Sequence, residues 1–551
     1  MQILFFSTAH NSLSQRAFIE LTDLGHKVYV QIASDEHSMI NAANHYKPDL
    51  IVAPFLKKYI PQTIWSHYTC IIIHPGIKGD RGPSSLDWAI LNEETEWGVT
   101  LLQANDKLDG GDIWASHNFT MNSVSKSYLY RHEVTEAAIK CLLETISKYE
   151  SGEFVPEKLN YNQNDIKGRE HKPMKQKYRS IDWLESTAMI SKKIRSADSQ
   201  PGLLDTIYGE NFYLYGVHEE NNLKGTPGEI IAKRNGAICR ATGDGAVWIT
   251  HLKRKDQGNS IYFKLPATQV LGDKIRNIPE LPVDNSVKDD TFKEIWYEEK
   301  NKVGYLHFEF YNGAMSTKQC LRLKEAFLKA RKRNTKVIVL MGGSDFWSNG
   351  IHLNVIEAAD NPSDESWKNI NAINNLIKEI ILTDTHIVIS AMQGNAAAGG
   401  VILALAADKV FARNGIVLNP HYKKMGLYGS EYWTYLLPKR IGEQKSIEIT
   451  NNCLPMSTKT AKKIGLIDDM FDSILFKNKI VKTAESLAIS PLYKKFLKDK
   501  QYKRKEGEKI KPLETYRKEE LSQMWDNFYG PDKSYHIKRK QFVYKLSCTN
   551  T

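Results

Sequence analysis

The chain has 551 residues, 41% hydrophobic and 25% charged, the balance of a soluble globular protein of about three or four domains. No apolar run approaches the ~18 residues of a membrane span. The net charge of +11 is not interleaved with any nucleic-acid-binding motif, which leaves a solvated surface or attraction for polyanionic small molecules.

The opening Met1-Gln2-Ile3-Leu4-Phe5-Phe6-Ser7 is apolar but short. It lacks a basic leader and a cleavage site, so it reads as a buried strand rather than a signal peptide. Residues 3–6, 27–32, 50–53 and 70–73 are strand-like with helical segments between, which predicts a doubly wound α/β domain with a parallel sheet over 1–158. The fourth strand runs into His74-Pro75-Gly76. A helix is expected over 84–91, a glycine-rich turn over 107–112, a strand over 113–116 and a closing helix over 127–149.

Residues 159–280 have another texture. Ile181-Asp182-Trp183 is expected to open an amphipathic helix with Ile190 and Ile194 on one face. Short strands at 225–231, 236–239 and 243–248 predict a small OB-like β-barrel. Residues 281–297 read as a linker. A second α/β series spans 298–475, where strands at 336–341 and 386–390 lead into Gly342-Gly343-Ser344 and the glycine turn 394–400. Residues 476–551 read as a basic helical tail. Six scattered cysteines, Cys70, Cys141, Cys239, Cys320, Cys453 and Cys548, form no CxxC pair. They read as free thiols of a reducing cytoplasm, with no metal site.

His74 ends a buried strand, where α/β folds place ligands, and Asp109 lies in a turn that can return to the same edge. The imidazole could stabilise an oxyanion while the carboxylate shuttles a proton or orients the ring. The residues alone also allow a strand-end histidine and a turn-capping aspartate. The ordered series His74-Pro75, Gly79-Asp80-Arg81-Gly82-Pro83, Gly98-Val99-Thr100 and Leu108-Asp109-Gly110-Gly111-Asp112 resembles the 10-formyltetrahydrofolate-dependent formyltransferases. Ile181-Asp182-Trp183, Lys193-Ile194-Arg195, Pro201-Gly202, Pro227-Gly228-Glu229 and Ala241-Thr242-Gly243-Asp244-Gly245 resemble the domain that follows in methionyl-tRNA formyltransferase. The resemblance implies that His74 and Asp109 are catalytic and that folate binds near Ala53, Phe55, Arg81, Gly82, Leu86 and Asp106. It departs at Ile72, where the family has an asparagine. Loss of one such donor costs about 3 kcal/mol of transition-state stabilisation.

In the C-terminal half, glycine turns allow backbone N–H groups to approach a thioester oxygen. Phe346 to Leu353, the 394–400 turn, Leu437-Pro438-Lys439-Arg440-Ile441-Gly442 and Ala461 to Asp468 resemble the crotonase (enoyl-CoA hydratase/isomerase) superfamily. That resemblance implies an oxyanion hole from the N–H groups of Ile351 and Gly399, with Ser348 and Gly350 in the coenzyme A site. The two hydratase glutamate positions hold Ile402 and Tyr422, so hydration is not expected. Tyr422 and Glu431 remain to move one proton; His352 and His421 read as structural.

The full architecture resembles the HypX/HoxX family of [NiFe]-hydrogenase maturation proteins, including the tail from Asn527 to Val543. That resemblance implies formyl transfer from 10-formyltetrahydrofolate to coenzyme A, then decarbonylation of formyl-CoA to carbon monoxide. It also implies partners among hydrogenase maturation proteins or the hydrogenase large subunit, with Arg539 and other basic tail residues holding coenzyme A phosphates. Two readings stand beside it. One is a formyltransferase for a protein, sugar-nucleotide or tRNA, with the second half only binding coenzyme A. The other is a non-catalytic scaffold.

Overall fold

The computed structural model describes residues 1–283 and 291–546. The middle of the expected linker (284–290) and Cys548 lie outside the described residues. Two compact units are present, Met1–Lys255 with Leu271–Pro279, and Asp256–Val270 with Glu280–Thr551. Residues 256–270, expected in the barrel, thus group with the second unit.

The first unit opens with strands Gln2–Ser7, Lys27–Ile32, Leu50–Phe55 and Cys70–His74, joined in parallel in the order second, first, third, fourth. Both faces are covered, so the central strands are nearly continuous apolar runs. Ile3, Phe5 and Leu50 pack with Leu13, Ala17 and Leu142 on one side, while Leu4, Phe6 and Ile51 pack with Met39 and Ala43 on the other. Full burial of one large aliphatic or aromatic side chain contributes about 1.5–3 kcal/mol. The expected parallel sheet is corrected at one edge, where Glu96–Gln103 runs antiparallel to both of its neighbours, Cys70–His74 and Ile113–Thr120. The glycine turn between Glu96–Gln103 and Ile113–Thr120 is too short for a parallel crossover and can only reverse the chain. The single helix expected over 127–149 is likewise broken into Lys126–Leu129, a π-helical turn at Tyr130–Val134, and Thr135–Ser151.

The helix expected to open at Ile181 begins later. The helix runs Thr187–Ala197, because the Ser186 side chain accepts the Met189 N–H and fixes the N-terminus there. Trp183 instead sits in the preceding turn under the Arg240 guanidinium, 4.0 Å from the ring centroid. An antiparallel sheet follows in the order Leu203–Ile207, Glu210–Glu220, Ala246–Arg254, Ala237–Ala241, Ile230–Arg234.

The second unit is built on the strand order Ile295–Lys300, Val303–Phe308, Val337–Gly342, Ile387–Met392, Lys409–Arg413, Asp469–Phe471, parallel after the first hairpin. The expected linker ends sooner than 297, since Phe292 and Glu294 are already buried. A smaller sheet joins Phe346–Ser348, Asn395–Ala397, Val417–Asn419 and Met456–Ser457. Its first three strands each follow a main-sheet strand, so the glycine turns between them are tied together beyond the carboxyl edge of the main sheet. The helices Phe476–Ile489, Tyr493–Ile510, Leu513–Tyr529 and Ser534–Tyr544 complete the unit. They are integral rather than a loose tail: Phe476 and Ile480 pack with the main strands, and Met524, Phe528 and Tyr535 enter the largest core. Among the described residues no helix is long and apolar enough to cross a membrane, and no cluster of three or more His, Cys, Asp or Glu could hold a metal ion.

Candidate active sites

Strand alternation puts Cys70, Ile72 and His74 on one face of the fourth strand. Ile72 pairs with Ala53 on one neighbour and Leu102 on the other, so the position expected to carry an amide is an apolar wall. His74 is 4% exposed and faces two carboxylates. Its Nε2 lies 2.8 Å from Asp80 Oδ2, and its Nδ1 lies 3.5 Å from Asp109 Oδ2. Asp109 has φ +48, and its Oδ2 also accepts the Gly82 N–H at 3.2 Å. Burial alone would lower the histidine's pKa. The hydrogen bond to Asp80 and the charges of Asp109 and Asp80 reverse that, and the net direction is upward. The two carboxylates thus shift the His74 ring toward its protonated form despite its burial.

The expected folate residues fall around the same strand edge. Arg81 Nε donates to the Leu108 carbonyl at 2.8 Å, and its guanidinium lies 3.5 Å from Glu170. Ala53 and Leu86 are buried, Phe55 lies edge-on to Tyr130, and Asp106 is exposed. His74, Asp109, Arg81 and Gly82 therefore form one connected group.

In the second unit the two glycine turns meet. A Cβ on Gly350 would lie 3.4 Å from the Gly399 nitrogen. Met315 N–H donates to the Gly350 carbonyl at 2.9 Å, and Ser348 Oγ accepts the Gly350 N–H at 3.1 Å. The Ser348 hydroxyl, fully buried, also lies 3.1 Å from Met315 Sδ, so it braces the turn that carries Ile351. Gly399 opens the helix Gly399–Leu405, and Ile402, at one of the two positions where the resemblance places a hydratase glutamate, is fully buried in the hydrophobic core.

Glu431 also reaches this point. A Cβ on Gly399 would lie 2.0 Å from Glu431 Oε1, so this oxygen rests directly against the glycine. Its other oxygen accepts the Tyr422 hydroxyl at 3.0 Å and the Ser430 N–H at 3.1 Å. Glu431 and Tyr432 both have positive φ, +65 and +63, a conformation that non-glycine residues hold only when neighbours impose it. Asn374 does so by accepting the Glu431 N–H at 2.8 Å and donating to Ser430 Oγ at 2.7 Å. Glu520 accepts the N–H groups of Tyr432 at 2.8 Å and Thr434 at 2.9 Å. Burial raises Glu431 to about 7, with Glu520 adding repulsion and the Tyr422 hydrogen bond opposing it. Glu520 is also raised to about 7 by burial. Burial, with the nearby Glu431 and Glu520, pushes the Tyr422 phenol well above its usual range. A carboxylate that ionises near neutrality beside backbone donors is suited to moving one proton.

Other expected residues have different settings. His352 caps the helix Leu353–Glu357 through Nδ1, and burial lowers its pKa to about 4. Burial also lowers His421 to about 4. Arg539 is 4% exposed, with Nε 2.7 Å from Glu357 Oε2, so a phosphate there would have to compete with an existing buried ion pair. Asp80, His171, Asn374 and Glu520 were not singled out by sequence reasoning. Asp80 stood inside a quoted motif, but the other three act across long separations without a local signal.

Residues 8–146 match the family model for formyl transferase, residues 173–260 that for the formyl transferase C-terminal domain, and residues 298–536 that for enoyl-CoA hydratase/isomerase. The chain is 43% identical to the hydrogenase maturation factor HoxX of Bradyrhizobium diazoefficiens, over 100% of this chain and 96% of that one. The crystal structure of HypX from Aquifex aeolicus in complex with tetrahydrofolic acid is similar at 45% identity and a TM-score of 0.96, covering 100% of this chain and 97% of that one. The methionyl-tRNA formyltransferase of Citrifermentans bemidjiense is 28% identical over 41% of this chain and 73% of its own length.

Proposed function

Because the chain belongs to the HypX/HoxX family of hydrogenase maturation factors, we propose that it makes carbon monoxide in two steps, from 10-formyltetrahydrofolate and coenzyme A. In the first, the thiol gives its proton to Asp109 and its sulfur attacks the formyl carbon. His74 stabilises the oxyanion, and the C–N electron pair returns to the folate nitrogen, which takes up the proton. Folate is held near Ala53, Phe55, Arg81, Gly82, Leu86 and Asp106.

In the second step the N–H groups of Ile351 and Gly399 hold the carbonyl oxygen of formyl-CoA, in a coenzyme A site that includes Ser348 and Gly350. Ionised Glu431 removes the formyl proton, the C–H electron pair stays on carbon, and the C–S pair leaves on sulfur. Carbon monoxide departs, and the thiolate recovers the proton from the Glu431–Tyr422 pair. The observation that carries this reading is the seat of Glu431, with one oxygen against Gly399 and the other on Tyr422. The product serves the iron of a [NiFe] hydrogenase in the cytoplasm, with maturation proteins or the large subunit as recipients.

The test is Glu431→Gln supplied with both substrates. It is expected to consume formyl-folate and accumulate formyl-CoA, with carbon monoxide release down by at least about 100-fold. Undiminished release would remove Glu431 from the chemistry.

A further inference from the structure

The first site contains a buried carboxylate, Asp80, to which the formyltransferase resemblance assigns no role. Asp80 is 1% exposed. Its Oδ2 is 2.8 Å from His74 Nε2, shorter than the 3.5 Å from Asp109 to Nδ1. The remaining oxygen, Oδ1, is buried with no hydrogen-bond partner and lies 3.8 Å from His171 Nε2. We propose that Asp80 is a positioning residue of the formyl-transfer site. It anchors His74 by Nε2 so that Nδ1 is the nitrogen presented beside Asp109, and His171 braces Asp80 from behind. The proposal rests on the formyl-transfer reading.

The backbone around Asp80 is organised for this contact. A Cβ on Gly76 would lie 2.3 Å from Asp80 Oδ2 and 2.5 Å from His74 Nε2, so only glycine leaves room for the pair. The segment from Tyr161 to His171 straps the loop in place. Tyr161 donates its hydroxyl to the Gly79 carbonyl at 3.0 Å. Gly168 N–H donates to the Lys78 carbonyl, and a Cβ on Gly168 would lie 1.9 Å from the Asp80 nitrogen. His171 N–H donates to the Arg81 carbonyl, and its ring stacks on Trp88 at 5.6 Å between centroids. His171 also borders a cavity of about 760 Å³ that it shares with Lys78, Lys167 and Arg169.

The chemical need comes from Ile72. Without an amide at that position, the oxyanion depends on the charge and aim of His74. A buried carboxylate on one ring nitrogen fixes orientation and favours the charged ring, as second-layer carboxylates do for other functional histidines. The titratable groups facing this pair are Asp80 and Asp109 on the imidazole and His171 on Asp80, while Arg81 is turned to the Leu108 carbonyl and Glu170.

The test compares Asp80→Asn, Asp80→Glu and His171→Gln with wild type in the full chain. Formyl-CoA formation and folate KM are measured, and His74 is titrated by NMR with labelled histidine, assigned against His74→Gln. Asp80→Asn is expected to lower kcat by about 100-fold with folate KM nearly unchanged, and to shift His74 titration to lower pH. Asp80→Glu, which keeps the charge, should recover part of the rate; His171→Gln should give a smaller loss. An unchanged rate and titration in Asp80→Asn overturns the proposal. So does a loss confined to folate KM. If wild type forms no formyl-CoA, the formyl-transfer reading fails, yet the titration still decides whether Asp80 anchors His74. Should Asp80→Asn fail to fold, His171→Gln and Asp80→Glu decide, since wild-type rates and titration in both would contradict the anchoring.

Discussion

Glu431 Oε1 rests against Gly399, while Oε2 accepts the Tyr422 hydroxyl at 3.0 Å. The carboxylate is therefore divided between an oxygen fixed by Tyr422 and one facing Gly399, whose N–H is proposed to hold the thioester carbonyl. Gly399→Ala would put a methyl 2.0 Å from Oε1 and must displace the carboxylate. Carbon monoxide release is expected to fall by at least about 100-fold while formyl-CoA accumulates; mass spectrometry of acyl-CoA species checks it.

Tyr422→Phe removes a hydrogen bond that lowers the pKa of Glu431. The glutamate should then ionise at higher pH, and the rise of carbon monoxide release with pH should move upward, with about a 10-fold rate loss at neutral pH. A pH–rate series on both proteins measures the shift.

The same carboxylate predicts a stability effect. Its folded pKa, about 7, lies above the reference value of 4.5, so the folded state binds the extra proton. Stability from this group is fully present below 4.5, and is lost as pH rises through about 7. Urea unfolding should show Glu431→Gln gaining relative to wild type between pH 5 and pH 8, because glutamine need not ionise in a buried site.

The two sites should also separate by mutation. His74→Gln and Asp109→Asn are expected to lose formyl transfer by about 100-fold or more, while still releasing carbon monoxide from supplied formyl-CoA. Assays started from each substrate distinguish the steps.

Much of this organisation was legible because its signals are local. His74 ends a run of branched residues and Asp109 sits in a glycine turn, while their roles, and the significance of an isoleucine at 402, came only with the family resemblances. The errors had physical causes. The Thr187–Ala197 helix starts where Ser186 caps it rather than at Ile181, and the strand Glu96–Gln103 runs against its neighbours, with the short glycine turn after it forming a hairpin. What was not legible depends on distant partners. Asp80 meets His171, and Glu520 caps the segment carrying Glu431 from another helix. No pattern within a single element announces either pairing.

The most direct measurement supplies the purified protein with coenzyme A and 10-formyltetrahydrofolate carrying ¹³C in the formyl group, and traps the gas on deoxyhaemoglobin. The account predicts ¹³C-labelled carbon monoxide in proportion to the tetrahydrofolate formed, and none when coenzyme A is withheld. Labelled formyl-CoA or formate without carbon monoxide above the enzyme-free control would contradict it.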